Sequence, residues 1–266
     1  MKLQTIALLL ITSSMFNACT KSIDEETSAS QMTLSQRKDV NEKVNTFYGA
    51  EKKLGKGKVR TFVTIAHNGT PKEIGVIFSK GVLNGLPNEG VSLVLPFHHK
   101  AMNVVPFQHA YVNWNPHGHP PIPGPYLVPH FDFHFYMISS EERMLIDPSS
   151  SKMNAIPPPS LWPANYVPTP DGEPQMGKHW INFSGSPEIC CGIPFTYTFI
   201  HGSYDSKFIF MEPMITRAFL AGNENVTNGF SPFKQFIVPN TFYPSTYNIK
   251  KEDGERIISL SNFEKH

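Results

Sequence analysis

Cysteine is nearly absent, with three in 266 residues. Two of the three, Cys190 and Cys191, are adjacent, and neighbours in sequence close only a small ring far from relaxed disulfide geometry. No disulfide framework can therefore hold this fold together, and the pair reads as two buried thiols. An excess of charge of either sign is missing too. Lys+Arg number 23 against 22 Asp+Glu, a formal net charge of +1, so nothing points to nucleic acid or an anionic surface as partner. No apolar run approaches the roughly 20 residues that span a bilayer. Helical periodicity is scarce and internal repeats are lacking, which excludes bundles, solenoids and coiled coils.

The first residues have the three parts of an export signal. Lys2 is basic, Ile6 to Ile11 is apolar, and Thr12 to Ala18 is a less apolar run ending in a small residue. A core this short reads as a removed leader, residues 1–18, rather than a membrane anchor. Phe16-Asn17-Ala18-Cys19 resembles a lipobox, so Cys19 is expected to carry lipid and to tie an exported protein to a bacterial membrane in the cell envelope. Residues 19–43 are then that cysteine and a polar tether, too poor in apolar side chains to fold alone. Residues 44–266 are left as one domain.

Proline is plentiful, with 24 residues concentrated in Pro116–Pro129, Pro157–Pro174 and Pro232–Pro244. Proline lacks a backbone donor and fixes φ, so these stretches are expected to be ordered loops. Between them lie short runs rich in β-branched and aromatic residues: Val59–Ala66, Glu73–Phe78, Val91–Leu95, His130–Ser139, Phe195–His201, Lys207–Met211 and Arg256–Leu260. Asn68-Gly69 marks a hairpin between the first two. Ser79–Leu86, capped by Ser79, and Pro213–Ala221, opened by proline, are expected to be short helices. The expected fold is mainly β: a single antiparallel β-sandwich or barrel-like domain with a few short helices and long proline-rich loops.

Seven of the eleven histidines fall between His98 and His134. His117 and His119 flank Gly118 in a proline-stiffened loop, and His130, Asp132 and His134 alternate with Phe131, Phe133 and Phe135. Alternate side chains of a strand share a face. The phenylalanines therefore go to the core and the polar three to the other side. Residues two apart on a strand are roughly 7 Å apart and residues four apart roughly 13 Å, while zinc–nitrogen bonds are about 2 Å. Asp132 can share an ion with either neighbour, whereas His130 and His134 can share one only across a bend. Asp132 can equally be an outer partner that orients a ligating histidine. His179, after Gly177, and Glu212, before Pro213, are further candidates. Glu212 reads as a ligand, a general base or the ion-pair partner of Arg217.

Pro116-His-Gly-His-Pro-Pro followed by Pro129-His-Phe-Asp-Phe-His-Phe-Tyr-Met-Ile138 resembles the signature of a family of uncharacterised exported bacterial proteins. Glu73–Ser79, Met176–Trp180, Pro194–Ile200 and Glu212–Arg217 are similar to its other recurrent blocks. The resemblance implies one β-rich envelope domain, with the possibility of a homo-oligomer. By position it picks out His117, His119, His130, Asp132, His134, His179 and Glu212. It implies no reaction, and Cys190-Cys191 is foreign to its pattern.

Three functional readings follow. In the first, three or four of His119, His130, His134 and His179 hold one divalent ion (Zn, Fe, Mn or Ni). Glu212 or Asp132 then acts as base on a bound water, toward a small molecule entering between the proline-rich loops. In the second, the same histidines bind metal, haem or a small ligand for storage, delivery or sensing, without catalysis. In the third, histidines and prolines only stiffen loops that pack against envelope partners.

Overall fold

A computed structural model describes residues 43–120 and 124–266. The leader, Cys19 and the polar segment up to residue 42 lie outside the described residues. Fourteen strands form in chain order: β1 (Val44–Tyr48), β2 (Lys52–Leu54), β3 (Gly57–Ala66), β4 (Pro71–Phe78), β5 (Val91–Pro96), β6 (His109–Asn115), β7 (His130–Tyr136), β8 (Tyr166–Glu173), β9 (Gly177–Asn182), β10 (Tyr197–Tyr204), β11 (Lys207–Thr216), β12 (Val226–Gly229), β13 (Phe242–Glu252) and β14 (Glu255–Lys265). They make two antiparallel sheets. One runs β1-β3-β4-β14-β13-β12, with β2 on β3, and the other β5-β6-β7-β11-β10-β9-β8. Neither closes into a barrel; the fold is sandwich-like.

The alternation read from sequence explains the packing. Val63 and Ile74 of the first sheet and Phe131, Phe133 and Phe135 of the second share one apolar core. Phe78 of β4 meets Phe131 at 5.1 Å and Phe133 at 5.3 Å between ring centroids. Burying each such ring is worth roughly 2 kcal/mol. Asn68-Gly69 does make the β3–β4 turn, with Gly69 at φ +85°. Among the described residues no helix is long and apolar enough to cross a membrane.

Several local expectations are corrected. Ser79–Leu86 is a series of turns, not a helix, because Gly81 and Gly85 take positive φ (93° and 65°) and Lys56 N–H bonds back to the carbonyls of Gly81 and Asn84. Pro213–Ala221 is not one helix. β11 continues through Pro213 to Thr216, whose side chain caps a short α-helix, Arg217–Ala221. Pro168 and Pro170 lie in a strand after all, but β8 is a sheet edge, where a missing donor costs nothing. Pro244 likewise belongs to β13. Cys190 and Cys191 are exposed rather than buried, and they are bonded to each other.

One core histidine has a testable consequence. His201 on β10 is fully buried among the rings of Tyr166, Phe199, Phe208, Phe230 and Phe233. Its Nε2 lies 3.1 Å from the Ser231 carbonyl, and Nδ1 has no partner. Burial drives its pKa down to about 3, against that one bond. Below the ordinary 6.5 the unfolded chain takes up a proton that the folded one refuses, so stability falls as pH falls. At pH 5 this group alone costs about 2 kcal/mol relative to pH 7. His201→Gln should therefore flatten the pH dependence of the urea midpoint between pH 7 and 5. An unaltered slope would contradict the assignment.

Candidate metal centre

β7 is buried along its whole length. The phenylalanines face the core between the sheets, and His130, Asp132, His134 and Tyr136 face the other side. That side is roofed by loops rather than water, so the polar residues are as buried as the rings: His130, Asp132 and His134 are 0, 4 and 1 % exposed. A buried charge or imidazole needs partners, and the neighbouring strands supply them. Asn115 and Tyr111 on β6 stand opposite His130 and His134, and β11 brings Glu212 alongside. The β7–β11 ladder skips Glu212 and Pro213, as the missing proline donor requires.

The polar residues fall into two groups. The first is His119, His130 and Asp132; the second is His134, His179 and Glu212. In the first, His130 Nε2 is 3.2 Å from Asp132 Oδ1 and His119 Nε2 is 3.6 Å from Oδ2. In the second, His134 Nε2 is 3.3 Å and His179 Nε2 3.7 Å from Glu212 Oε2. Atoms bonded to one tetrahedral zinc at about 2 Å stand roughly 3.3 Å from one another, so both groups have the spacing of a ligand set. As the strand rise requires, His130 and His134 do not converge. The one shared ligand set expected is thus corrected to two groups, side by side along β7.

The orientation of the imidazoles says more. His119 Nδ1 lies 2.8 Å from the Pro120 carbonyl, His130 Nδ1 2.7 Å from Val128 and His134 Nδ1 3.2 Å from Tyr111. A carbonyl only accepts, so each Nδ1 must carry the hydrogen. In the neutral ring the lone pair is then on Nε2, aimed at a carboxylate oxygen. Asn115 Nδ2 reinforces this by donating toward His130 Nε2 at 3.4 Å, and it donates to Asp132 Oδ2 at 2.6 Å. Asp132 Oδ1, His134 Nε2 and Glu212 Oε2 are buried without a hydrogen-bond partner, although each faces the opposite number within 3.3 Å. Lone pair facing lone pair is repulsive unless a proton or a cation lies between them.

Protonation in the free protein differs between the groups. Burial lowers His134 to about 3, the Asp132 charge opposing it, and burial lowers His179 to about 4. Burial and then the Asp132 charge push Glu212 well above the usual carboxylate range. In the second group burial thus disfavours charge on both imidazoles and on the carboxyl. In the first, burial pulls His119 down, but the bond and charge of Asp132 outweigh it and leave it raised. Asp132 is pushed up by burial yet held well below its ordinary value by His119 and His130.

Two glycines set the geometry. Gly118 is at φ +72°, where a Cβ would overlap the Tyr126 carbonyl, and the next residue, His119, bonds that same carbonyl through its N–H at 3.2 Å. Close approach of the two loop limbs brings His119 over Asp132. Gly202 on β10 pairs with His179 on β9. The Phe210 ring lies over it and packs edge-on against His134 and His179.

His117 is exposed and belongs to neither group. Arg217 donates to the Leu83 carbonyl, which leaves Glu212 to the histidines. Both carboxylates expected as bases, Asp132 and Glu212, sit inside the groups themselves. Asn115, the carbonyl of Tyr111 and Gly202 escape a reading by sequence, because they join the site only through strand pairing. Arg143 is a further surprise. Its guanidinium is buried, stacked 4.0 Å over Tyr111, with a hydrogen bond to Gln175 Oε1.

No family model, no curated protein and no solved structure matches this chain.

Proposed function

We propose that the domain binds two divalent transition-metal ions, one in each group. The observation that carries this is that His119, His130 and His134 are held at Nδ1 by backbone carbonyls, with Nε2 of His130 and of His134 facing carboxylate oxygens that have no hydrogen-bond partner. Each group offers two histidines and one carboxylate. That nitrogen-rich set disfavours Mg and Ca and suits Zn, Fe, Mn or Ni. Three protein ligands leave positions open, as in catalytic rather than closed structural zinc sites. The His119 side chain is 35 % exposed, against 1 % for His134 and 15 % for His179. The first group is accordingly the exchangeable one, and the one at which a small molecule would meet the ion. A metal there would supply Lewis acidity or an acidified water, while Asn115 and the Pro120 and Val128 carbonyls hold the ligands in place.

Elemental analysis of the purified, untagged protein tests this. Two equivalents of one metal per chain are expected. Sub-stoichiometric metal that ignores substitution of the ligands would sink it.

The location belongs to the same reading. The export-like leader and the lipobox-like Cys19 support an envelope protein held to the membrane by lipid, with the polar segment as spacer. One acyl chain binds marginally and several bind stably. Cys19→Ser should move the protein from the membrane fraction to the soluble one with its thermal midpoint unchanged. Retention in the membrane fraction would refute the lipid anchor.

A further inference from the structure

A cavity of about 670 Å³ has a lining separate from both histidine groups. It opens where the Ser186–Thr198 segment meets β12, β13 and the end of β8, and none of the six clustered side chains lines it. Its lining includes Tyr197, Phe199, Phe230 and Tyr247, with Asn182 and Glu188. Phe199 stacks on Phe230 at 4.1 Å and on Tyr247 at 5.0 Å, a continuous aromatic wall.

Charge is what makes this cavity selective. Glu188 is its only charged lining residue; no lysine, arginine or histidine contributes. Glu188 is itself 7 % exposed, and its carboxylate accepts one hydrogen bond, from Tyr126 Oη at 3.2 Å. Among the described residues no basic side chain stands within ion-pair distance of it, in contrast to Lys58–Glu51 or Lys250–Glu73 on the surface. A buried carboxylate without a counter-charge is costly. Aromatic faces attract cations through their quadrupole, and they do so more strongly when water is excluded. A carboxylate among aromatic lining residues repels anions and under-uses an apolar ligand. It matches a small cation that is itself partly apolar.

We propose that this cavity binds a small organic ammonium ion, with the charge against Glu188 and the alkyl shell against Tyr197, Phe230 and Tyr247. The site is independent of the metal reading, and its test is run with EDTA present. Choline is the probe, and 3,3-dimethylbutan-1-ol, the same shape without charge, is the comparator. Both are titrated into the full chain by calorimetry. Choline should bind at least tenfold more tightly than the alcohol. Glu188→Gln keeps an acceptor for Tyr126 and should abolish that preference while the thermal midpoint holds. Tyr197→Leu, on the half-buried opposite wall, provides a second variant and should weaken choline severalfold. No choline binding, equal binding of the two probes, or a preference that survives Glu188→Gln would each overturn the proposal.

Discussion

His134→Ala is expected to leave one metal equivalent of two, and His130→Ala is expected to leave the other. The two side chains are four residues apart on one flat strand, with Nε2 atoms turned to different carboxylates. Removing one imidazole takes a ligand from its own group and nothing from its neighbour. The loss is large because each group has only two nitrogens, and truncating a ligand leaves the remaining ones to hold the ion at a lower coordination number. The stable product should therefore be a one-metal protein in both cases, distinguishable by exchange: the ion kept by His134→Ala, near partly exposed His119, should pass to a chelator faster than the ion kept by His130→Ala. Loss of both equivalents from either single variant would mean one shared site. An alanine in place of His117 should leave both equivalents untouched, since that side chain is exposed and outside the groups.

Gly202→Ala should destabilise the domain by about 3 kcal/mol, at the upper end of what overpacking a filled site costs. A Cβ there overlaps the Phe210 ring, and that ring has no slack: it is fully buried and wedged against His134, Tyr136 and His179. The backbone cannot retreat either, because Gly202 is paired on both sides within the sheet. Phe210 must tilt, and His134 and His179 must tilt with it, so affinity at the second site should fall more than at the first. Urea unfolding reads the stability and competition with a chelating dye reads the affinity. Adding Phe210→Leu should recover part of the loss, a non-additivity expected only if the two side chains collide. Additive losses would place the damage elsewhere.

The sequence carries the local half of this site. Phe-Asp-Phe-His-Phe alternation around Asp132 declares which face each side chain takes, and the strand rise forbids His130 and His134 from sharing an ion. Gly118 between two histidines marks a close turn. The missing half is long-range. Nothing near Glu212 in sequence says that β11 pairs with β7, and Pro213 argues locally for a helix start, whereas the sheet absorbs it at a gap in the ladder. His179 is placed by the β9–β10 pairing, opposite Gly202, where the Phe210 ring fills the space a side chain would take. Burial of the polar face was likewise hidden, since it depends on loops that fold back over the outer surface. Cys190 and Cys191, expected as buried thiols, are instead exposed and bonded to each other, because the segment that carries them lies at the surface.

The central claim is that two ions occupy two separate histidine–carboxylate groups. Anomalous diffraction from crystals of the metal-loaded protein, collected at the absorption edge of the metal that elemental analysis finds, tests it most directly. The account predicts two peaks per chain, one at bonding distance from His119, His130 and Asp132 and one from His134, His179 and Glu212. A single peak shared by His130 and His134, or peaks only at His117 and other exposed residues, would contradict it.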